Sequence, residues 1–512
     1  MTAARSTAGR LRPGGSTQTP AGTTGSGDVD LADVQGLVGS GYGQLPEALF
    51  LGLRLDDGAA GRAVLSELLP QVTSMAGPRT PRAVNVAISH AGLARFGLPQ
   101  TALDMFSLEF AGGMVTRSRS AFLGDEGDSA PSTWAWGGPG NPRVDVLLLL
   151  YAETAAELAS LGASVRETVA AHGPAEAVAL PTSSLTPRNH LGFADGISQP
   201  AVTGLRSGTT DGEVALGEVL LGYPNAYGTL TSRPLLPAEA DPGRLLPPAP
   251  DAPGSVDLGR NGSYLVARTL AQDVAAFWDY ARRWAGLTGL SPIQVAAKMV
   301  GRWPSGMSLT VSPEHDALAQ AGDNSFRYHD VDPVGLRCPI AAHVRRANPR
   351  DSLDPRPGSD ASVQVTNRHR MIRRGREYGT PLAIDPENLR PGVDGDLTRR
   401  GHEPPADEER GLHFLCLNAS IGRQFEFIQH TWLNNPSFAG LQGSPDPLLG
   451  PRAPGADQFP APAVPVRHRL LGLPPFVRVR GGAYFFLPGI RALEYLAGGP
   501  APATSAAAHG VG

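Results

Sequence analysis

The sequence predicts an α+β protein built from two similar halves. Strand-like and helix-like patterns alternate in the first part of the chain and again in the second. A length of 512 residues exceeds what one hydrophobic core needs and suits two fused halves or two to four domains. Neither GxGxxG nor GxxxxGK[ST] occurs, so the sequence does not indicate a nucleotide-binding fold.

The first half contains three predicted strands and two predicted helices. The run Val144–Tyr151 is continuously apolar and has the length of a strand that is buried on both faces. The Ala-rich segment Glu153–Ala171 carries its apolar residues on one face, which predicts a helix. The remaining elements are the strands Ala48–Leu55 and Ala83–Ser89 and the helix Arg62–Leu69.

The second half repeats this scheme. An apolar stripe from Leu270 to Trp284 predicts a helix over Thr269–Leu287. The other predicted elements are the strand Gly262–Val266, the strand Leu412–Leu417, the helix Ile421–Leu433, and the strands Val477–Arg480 and Ala483–Leu487 around a Gly-Gly pair.

Segments rich in Gly, Pro, Ser and Thr divide the chain. We expect disordered tails over residues 1–29 and 498–512, an N-terminal half over 30–205 and a C-terminal half over 206–497. Gly and Pro disfavour both helix and sheet hydrogen bonding, which predicts surface loops in three internal segments. These segments are Pro237–Pro253, Arg350–Ser362 and Gly443–Pro465.

Composition and charge exclude several classes of protein. Hydrophobic residues make up 41% and charged residues 18%, which is a globular composition. The net charge of −4 does not favour nucleic acid as a partner. The two cysteines, Cys338 and Cys416, are too few for a disulfide scaffold or a four-cysteine zinc site. We expect both to be buried free thiols.

The apolar pattern also bears on location. No apolar run reaches the roughly 18 residues of a membrane-spanning helix. The arginines near the N-terminus have no apolar stretch behind them, which argues against an export signal. We therefore expect a cytoplasmic protein without a membrane partner.

Three segments could carry chemistry, and the first is Asn189–Pro200 (NHLGFADGISQP). Its glycines let the backbone approach a flat or bulky ligand closely, and Asp195 could face that ligand. Alternatively, Asp195 forms an Asx turn by bonding to its own backbone. Both interpretations stay open on the residues alone.

The second segment, Cys338–Arg350 (CPIAAHVRRANPR), sets one histidine beside three arginines. His343 could ligate a metal through a ring nitrogen, and the arginines could pair with carboxylates or phosphates. The alternative is a solvated basic turn with a hydrogen-bonded core histidine.

The third segment, Asn367–Gly379, contains five arginines in nine positions. It could be an exposed strand, a phosphate-binding patch, or a strand that points one guanidinium at an anionic ligand. The sequence contains no hydrolase triad order, no HExxH and no second histidine three or four residues from His343. Spacing alone therefore leads only to an acid, a histidine and an arginine that could share one pocket.

These three segments closely resemble the dye-decolorizing peroxidase family, and in particular its long, non-exported branch. GFADG (Gly192–Gly196) is similar to the family's GxxDG motif, the Cys338 segment to its proximal-histidine segment, and IRRGREYG (Ile372–Gly379) to its distal-arginine segment. Further similar stretches are WAWGGP, LGYPNAYG, VGRWPSG, FEFIQHTWLNN and RGGAYFFLPG. The resemblance runs from about Asp30 to Leu496 in the family's order.

The resemblance implies two ferredoxin-like halves, each an antiparallel sheet with peripheral helices, as in a dimeric α+β barrel. It implies one haem b per chain with His343 as the axial iron ligand, and Asp195 and Arg373 on the opposite, peroxide-binding face. Arg374 matches the arginine position less clearly. Other residues expected near the haem are Gly192, Phe193, Ala194, Gly196, Arg345, Arg350, Leu412 and Phe414. The resemblance does not choose among Arg345, Arg346 and Arg350 as propionate partners.

The chemistry of these residue types fits the implied roles. A neutral imidazole is a good iron ligand, and its second nitrogen needs an orienting partner. Asp195 can take a proton from peroxide and return it to the leaving oxygen, which favours an acidic optimum. Arg373 can stabilise the negative charge that develops on the peroxide.

One stretch departs from the family pattern. In relatives we expect an acidic residue after the strand that contains Cys416, near the axial histidine. Here residues 418–423 read NASIGR, without an acid. Either another group orients His343, or its ring is less anionic and the reduction potential of the iron rises.

The implied activity is a haem peroxidase that uses hydrogen peroxide to oxidise dyes, phenols or other organic reductants in one-electron steps. Bulky dyes could be oxidised at a surface aromatic residue. The candidates are Tyr378, Trp432 and Tyr484, although the residues themselves favour a packing role for each. The alternatives are a haem-binding or iron-handling protein with little turnover, and a redox-inert interaction protein. A homo-oligomer stays open.

Overall fold

The computed structural model describes residues 29–205, 213–381 and 409–498. The predicted tails lie outside the described residues except for Val29 and Gly498. Within the described ranges, no helix combines the length and the apolar character needed to cross a bilayer.

Fifteen strands occur in the described residues. They are β1 (Glu47–Arg54), β2 (Arg82–Ile88), β3 (Val146–Ala152), β4 (Ala175–Pro181), β5 (Ala201–Val202), β6 (Glu213–Val214), β7 (Leu235–Pro237), β8 (Ser255–Asp257), β9 (Ser263–Gln272), β10 (Ile372–Arg373), β11 (Arg376–Tyr378), β12 (Gly411–Asn418), β13 (Phe459–Ala461), β14 (His468–Leu470) and β15 (Val477–Leu487).

Thirteen α-helices occur in the same ranges. They are α1 (Gly36–Gly39), α2 (Gly58–Leu68), α3 (His90–Arg95), α4 (Gln100–Leu103), α5 (Leu108–Gly112), α6 (Arg117–Leu123), α7 (Ala155–His172), α8 (Val274–Thr288), α9 (Pro292–Val300), α10 (Tyr328–Val331), α11 (His343–Ala347), α12 (Asp360–Asn367) and α13 (Ile490–Gly498). Gly422–Glu426 and Ile428–Leu433 are wound as π-helix.

A nine-stranded sheet forms the centre of the molecule. Its order is β10-β12-β9-β15-β2-β3-β1-β4, with β11 also paired to β12. The strands of each half pair antiparallel, and the two halves meet where Phe486 of β15 pairs with Ile88 of β2. Numbered within its own half, each four-strand set has the same order, 2-3-1-4. The predicted α+β fold with two ferredoxin-like halves is therefore confirmed.

The two faces of this sheet bury separate cores. One core contains side chains of α2, α7 and α13 together with Leu148, Val266 and Phe486 of the sheet. The other contains the segment around Leu37 and the opposite side chains of the same strands, such as Leu149. Because side chains alternate along a strand, the inner strands contribute side chains to both cores. This explains why most of Val144–Tyr151 is apolar.

Most predicted elements lie within a few residues of the observed ones, and three differ. Residues 269–272 continue β9, and α8 begins only after Asp273, whose carboxylate caps Ala276. The two predicted C-terminal strands are one strand, β15, with a register shift between Val479 and Gly481. The predicted helix at 421–433 exists but is π-helical.

Two of the predicted surface loops also differ from the structure. Residues 444–448 are buried, so the segment Gly443–Pro465 is not a surface loop throughout. Its later part includes the short strand β13. Helix α12 begins inside the predicted loop Arg350–Ser362, after the cap residue Ser359.

Candidate active site

At the sheet edge formed by β10 and β11, the arginines of the segment Asn367–Gly379 project from two opposite faces. Arg373 pairs with Cys416 of β12 and therefore shares a face with Phe414 and Leu412. The next arginine, Arg374, points to the opposite core. The structure thus resolves which of the two adjacent arginines faces the candidate site.

Arg374 and Arg376 are buried structural residues. Arg374 donates from Nε to the Leu37 carbonyl and from Nη2 to the Val38 carbonyl, each at 2.7 Å. Arg376 donates to the carbonyls of Gly41, Tyr42, Leu45 and Pro46. Together they hold the N-terminal segment against the sheet, so these two arginines belong neither to an exposed strand nor to a phosphate-binding patch.

The segment that carries Asp195 docks on this edge. Gln199 Nε2 donates to the Arg373 carbonyl, and Gln199 Oε1 accepts from the Arg373 amide, both at 3.1 Å. At the other end of the segment, the His190 amide donates to Glu377 Oε1 at 2.5 Å. Two points of attachment therefore position the residues between them.

Asp195 and Arg373, predicted from separate motifs, are neighbours in space. Arg373 Nη2 lies 3.9 Å from Asp195 Oδ1, and the two side chains are 35% and 65% exposed. Asp195 Oδ1 also accepts the Gly196 amide at 2.6 Å, so the local turn and the outward carboxylate coexist. Gly196 has a φ of +77° and only open space where a Cβ would stand.

The residues before Asp195 anchor its loop. Gly192 has a φ of +87°, a conformation that glycine adopts at no steric cost. The Phe193 ring packs into a core cluster, 6.4 Å from the Trp278 ring. The Ala194 amide donates to the Pro304 carbonyl at 2.9 Å. Phe193 thus fixes the loop from behind.

His343 begins helix α11 and pairs with a buried carboxylate. Its Nδ1 lies 3.0 Å from Oδ2 and 3.2 Å from Oδ1 of Asp446. The side chain is 26% exposed, and Nε2 makes no hydrogen bond to the described residues. Pairing at Nδ1 fixes the ring and leaves Nε2 as the nitrogen for a metal.

Asp446 is the acidic residue that orients His343, although no acid occurs at residues 418–423 after Cys416. Burial works to raise the pKa of Asp446, but His343, Arg346 and the Leu449 amide more than offset it and hold the pKa below 3.8. Oδ1 also accepts the amides of Leu448 and Leu449. Asp446 was not among the residues predicted from the sequence, because its Gly- and Pro-rich stretch has the composition of a surface loop. The apolar residues after Asp446 were the available signal.

The arginines next to His343 have protein partners. Arg345 Nη1 donates to Asp332 Oδ2 at 3.0 Å and to the Cys338 carbonyl, which argues against a role of Arg345 as a partner of a haem propionate. Arg346 is fully buried and donates to the carbonyls of Trp432, Leu433, Ser444 and Asn435. Both guanidiniums stabilise the fold through hydrogen bonds to protein groups.

A group of four arginines makes the site electropositive. Burial lowers the pKa of Arg370 to about 9, and the charges of Arg350 and Arg373 contribute. Burial also lowers the pKa of Arg302, again with contributions from Arg350 and Arg373. The four guanidiniums therefore lie within range of one another's positive charge. Arg350 donates to Asn324 and Phe326, and its role at the cofactor stays a prediction.

These observations test whether the residues present fit a haem. A single imidazole with a free Nε2 is enough, because the macrocycle supplies the in-plane nitrogens. The arginine group suits two propionates. Leu412 and Phe414 are half-buried although their strand has neighbours on both sides, so they border open space on the face of Arg373. The donor set fits the group.

The three aromatic residues considered as surface oxidation sites are buried or half-buried. Trp432 and Tyr484 are buried, and the Tyr484 hydroxyl donates to Glu426 Oε1 at 2.7 Å. Tyr378 is half-buried and stacks on His413, with ring centroids 4.6 Å apart. Among the described residues, the large exposed aromatic side chains include Tyr227 but none of these three. All three are packing residues.

The chain is similar in sequence to named peroxidases. It is 31% identical over 388 residues to a multifunctional dye peroxidase of Amycolatopsis sp., which covers 72% of this chain and 74% of the relative. It is 28% identical to Peroxidase 2 of Mycetinis scorodonius, over 91% of this chain and 87% of the relative. No family model matches the chain.

Solved structures show the same architecture. A dye-decolorizing peroxidase in complex with 2,6-dimethoxyphenol superposes with a TM-score of 0.71 at 25% identity, over 92% of this chain and all of that one. A decolorizing peroxidase from Auricularia auricula-judae gives a TM-score of 0.70 at 25% identity, with the same coverage.

Proposed function

Because the chain belongs to the dye-decolorizing peroxidase family and is a haem-dependent peroxidase, we propose that Asp195 is its acid-base group and Arg373 its distal cation. We propose His343 as the axial ligand of one haem b per chain. The oxidised substrates would be dyes, phenols or other organic reductants, in line with the dimethoxyphenol bound to one related structure.

One observation carries this assignment. Asp195 and Arg373 come from different motifs far apart in the sequence, and the fold brings their charged groups to 3.9 Å on the face that also carries Leu412 and Phe414. Neither side chain is buried, so both can reach a small polar substrate. A carboxylate beside a guanidinium is the pair that peroxide cleavage needs.

Each residue then has a defined task. When bound, haem supplies the two electrons that reduce hydrogen peroxide, and the organic reductant replaces them one at a time. The Asp195 carboxylate accepts a proton from one peroxide oxygen and returns it to the other as that oxygen leaves. The Arg373 guanidinium stabilises the negative charge on the peroxide during this transfer. The Gln199 contacts to the Arg373 backbone keep its strand in place.

On the other side, the His343–Asp446 pair prepares the ligand. The buried carboxylate keeps the proton on Nδ1 and directs Nε2 outward. Pairing with a carboxylate makes an imidazole a stronger electron donor, which would lower the reduction potential of an iron held at Nε2. Asp446 thereby takes the role that we expected from an acid at 418–423.

The experiment is reconstitution with haem. The purified protein should show a Soret band and peroxide-dependent oxidation of 2,6-dimethoxyphenol. Asp195→Ala and Arg373→Ala should lower kcat/KM for peroxide by about 10²-fold or more each, with haem retained. Asp128→Ala, which removes an exposed carboxylate, is the matched control. Unchanged turnover in either site variant would remove that residue from the mechanism.

The same experiment tests the alternatives. A haem-binding or iron-handling protein would need His343 but tolerate Asp195→Ala. A redox-inert interaction protein would bind no haem. His343→Ala should lose or loosen haem in every case except the last.

Other expectations stay predictions of this proposal. They are the division at residues 205 and 206, the cytoplasmic location, and the absence of nucleic-acid and membrane partners. Homo-oligomerisation also stays open, and the mass of the protein in solution measures it.

A further inference from the structure

Glu377 is a carboxyl group on the face of the candidate site that none of the assigned roles uses. In β11 it pairs with Leu412 of β12, and so it projects to the same side as Leu412, Phe414 and Arg373. Its neighbours Arg376 and Tyr378 project to the other side, next to His413. The strand thus turns one acid toward the peroxide-binding face.

The contacts of Glu377 tie it to the loop of Asp195. Oε1 accepts the backbone amide of His190 at 2.5 Å, five residues before Asp195. The His190 ring contacts the same strand, because its Nε2 lies 2.9 Å from the Tyr378 carbonyl. Oε2 of Glu377 accepts no hydrogen bond from any residue of the described ranges. One carboxyl oxygen therefore anchors the loop and the other is left for the site.

The surroundings of Glu377 favour its neutral form. Burial, opposed by the hydrogen bond from the His190 amide and assisted by the negative charge of Asp195, raises the pKa of Glu377 to about 7. Since the two carboxyl groups repel, they are close enough to sense each other's charge. The titratable and charged side chains on the surrounding elements are Asp195 and His190 on the loop, His413 on the far face of β12, Glu409 and Arg410 just before β12, and Arg373, Arg376 and Tyr378 on the same edge.

We propose that Glu377 is a positioning residue of the peroxide-binding face, which anchors the Asp195 loop and sets the charge beside Asp195 by gaining or losing a proton. This inference rests on the proposed function of Asp195 and Arg373. Protonated Glu377 leaves one carboxylate on the face. Ionised Glu377 adds a second, which opposes the positive charge of Arg373 and weakens the stabilisation of any anion bound there.

Two substitutions separate the two tasks. In Glu377→Gln the amide oxygen still accepts the His190 amide, but the group no longer titrates. In Glu377→Leu both the anchor and the titration are lost. Glu239→Gln, at an exposed glutamate, is the matched control.

The first measurement needs no haem. Infrared difference spectra of the wild type against Glu377→Gln, recorded across neutral pH, should contain the carbonyl band of a protonated carboxylic acid that disappears as the pH rises through about 7. Other buried carboxyl groups cancel in this difference. The proposal would be overturned if the band is absent, or if it has already disappeared when the pH reaches about 5.

The second measurement uses the haem-loaded protein and azide as an anionic probe. Between about pH 6 and about pH 8, wild-type affinity for azide should fall roughly three- to tenfold more than that of Glu377→Gln, as expected for one added charge in a half-buried site. Glu239→Gln should follow the wild type. Identical pH dependence in the wild type and Glu377→Gln would contradict the charge-setting role.

Peroxide kinetics test the anchor. Glu377→Gln should keep the wild-type kcat/KM near pH 6 and lose the decline above pH 7, whereas Glu377→Leu should be slower at both values. Equal profiles for the Gln and Leu variants would remove the anchoring role. If Leu prevents folding, Glu377→Ala replaces it as the variant without the anchor, and the Gln variant still tests the charge-setting role. Failure of haem binding would instead count against His343 and leave the infrared result standing.

Discussion

The direction of a single side chain decides which arginine and which carboxylate belong to the site. Arg373 and Arg374 are adjacent, yet strand alternation sends one to the open face and the other into hydrogen bonds with the Leu37 and Val38 carbonyls. The same logic separates Glu377 from Arg376. At this scale the composition of a motif says little until the register of its strand is known.

Arg373→Leu and Arg374→Leu should therefore fail in different ways. Arg373→Leu should keep the fold and lower kcat/KM for peroxide by about 10²-fold, because it removes a cation from the reacting face. Arg374→Leu should lower the free energy of unfolding by about 2–4 kcal/mol, because it leaves buried carbonyls without donors. Denaturant titration and peroxide kinetics on both variants check this, and the reverse pattern would refute the assignment of faces.

Asp446→Asn tests the orientation of His343. The neutral amide pairs less strongly with Nδ1, so haem affinity should fall by about 10- to 100-fold and the reduction potential should become more positive. Haem titration and redox titration measure the two effects. Asp457→Asn in the same loop should change neither, and wild-type values in Asp446→Asn would show that the carboxylate does not tune the ligand.

At the scale of elements, local patterns predicted most strands and helices, but they did not predict the boundary between β9 and α8. The stripe from Leu270 to Trp284 includes residues that continue β9, because the sheet pairing of Leu270 with Leu412 and Val479 outweighs a helical periodicity. Only at Asp273, which can cap a helix, does α8 begin.

The Gly-Gly pair of β15 shows a second contribution of packing. It was interpreted as a break between two strands, yet β15 passes through it, and a Cβ on Gly481 would lie 2.3 Å from the Trp136 ring. Glycine is needed there because an aromatic side chain lies against the strand, and not because the chain turns.

Gly481→Ala should consequently destabilise the protein by about 1–3 kcal/mol through overpacking against Trp136. Thermal or denaturant unfolding measures the change. Gly43→Ala is the matched control, because a Cβ at that position meets nothing within 4 Å. A Gly481→Ala protein as stable as the wild type would mean that Trp136 moves aside without cost.

At the scale of the whole molecule, the candidate site is assembled from distant parts of the chain. The Asp195 loop meets the edge strands that carry Arg373 and Glu377, and the helix of His343 meets the buried loop of Asp446, although the members of each pair lie far apart in the sequence. A ligand that contacts several of these segments can bind only when all of them are in place.

Haem should therefore stabilise the entire fold. Saturating haem should raise the Tm of the wild type by roughly 5–10 °C, because binding to the native state alone adds a few kcal/mol to its stability. Calorimetry with and without haem measures this. His343→Ala should show a much smaller shift, and an equal shift would mean that haem binds elsewhere.

The ionisation of Glu377 should also change the free energy of unfolding with pH. Its pKa rises from 4.5 to about 7 on folding, so its contribution is favourable below pH 4.5 and is lost as the pH rises through about 7. Glu377→Gln should match the wild type near pH 5 and exceed its free energy of unfolding by about 1–2 kcal/mol near pH 8, after allowance for solvent screening. Urea titrations at both values check the crossover.

What the sequence determined by itself is the α+β architecture, most of its elements and the family, because apolar periodicity and short motifs are local properties of the chain. It also named Asp195, Arg373 and His343 as candidates. The tertiary structure decided what depends on contacts between distant segments: that Arg373 and not Arg374 faces the site, that Arg345 belongs to Asp332, and that Asp446 supports His343. Register and burial are set by the partner strand and the partner loop, and no window of sequence contains both partners.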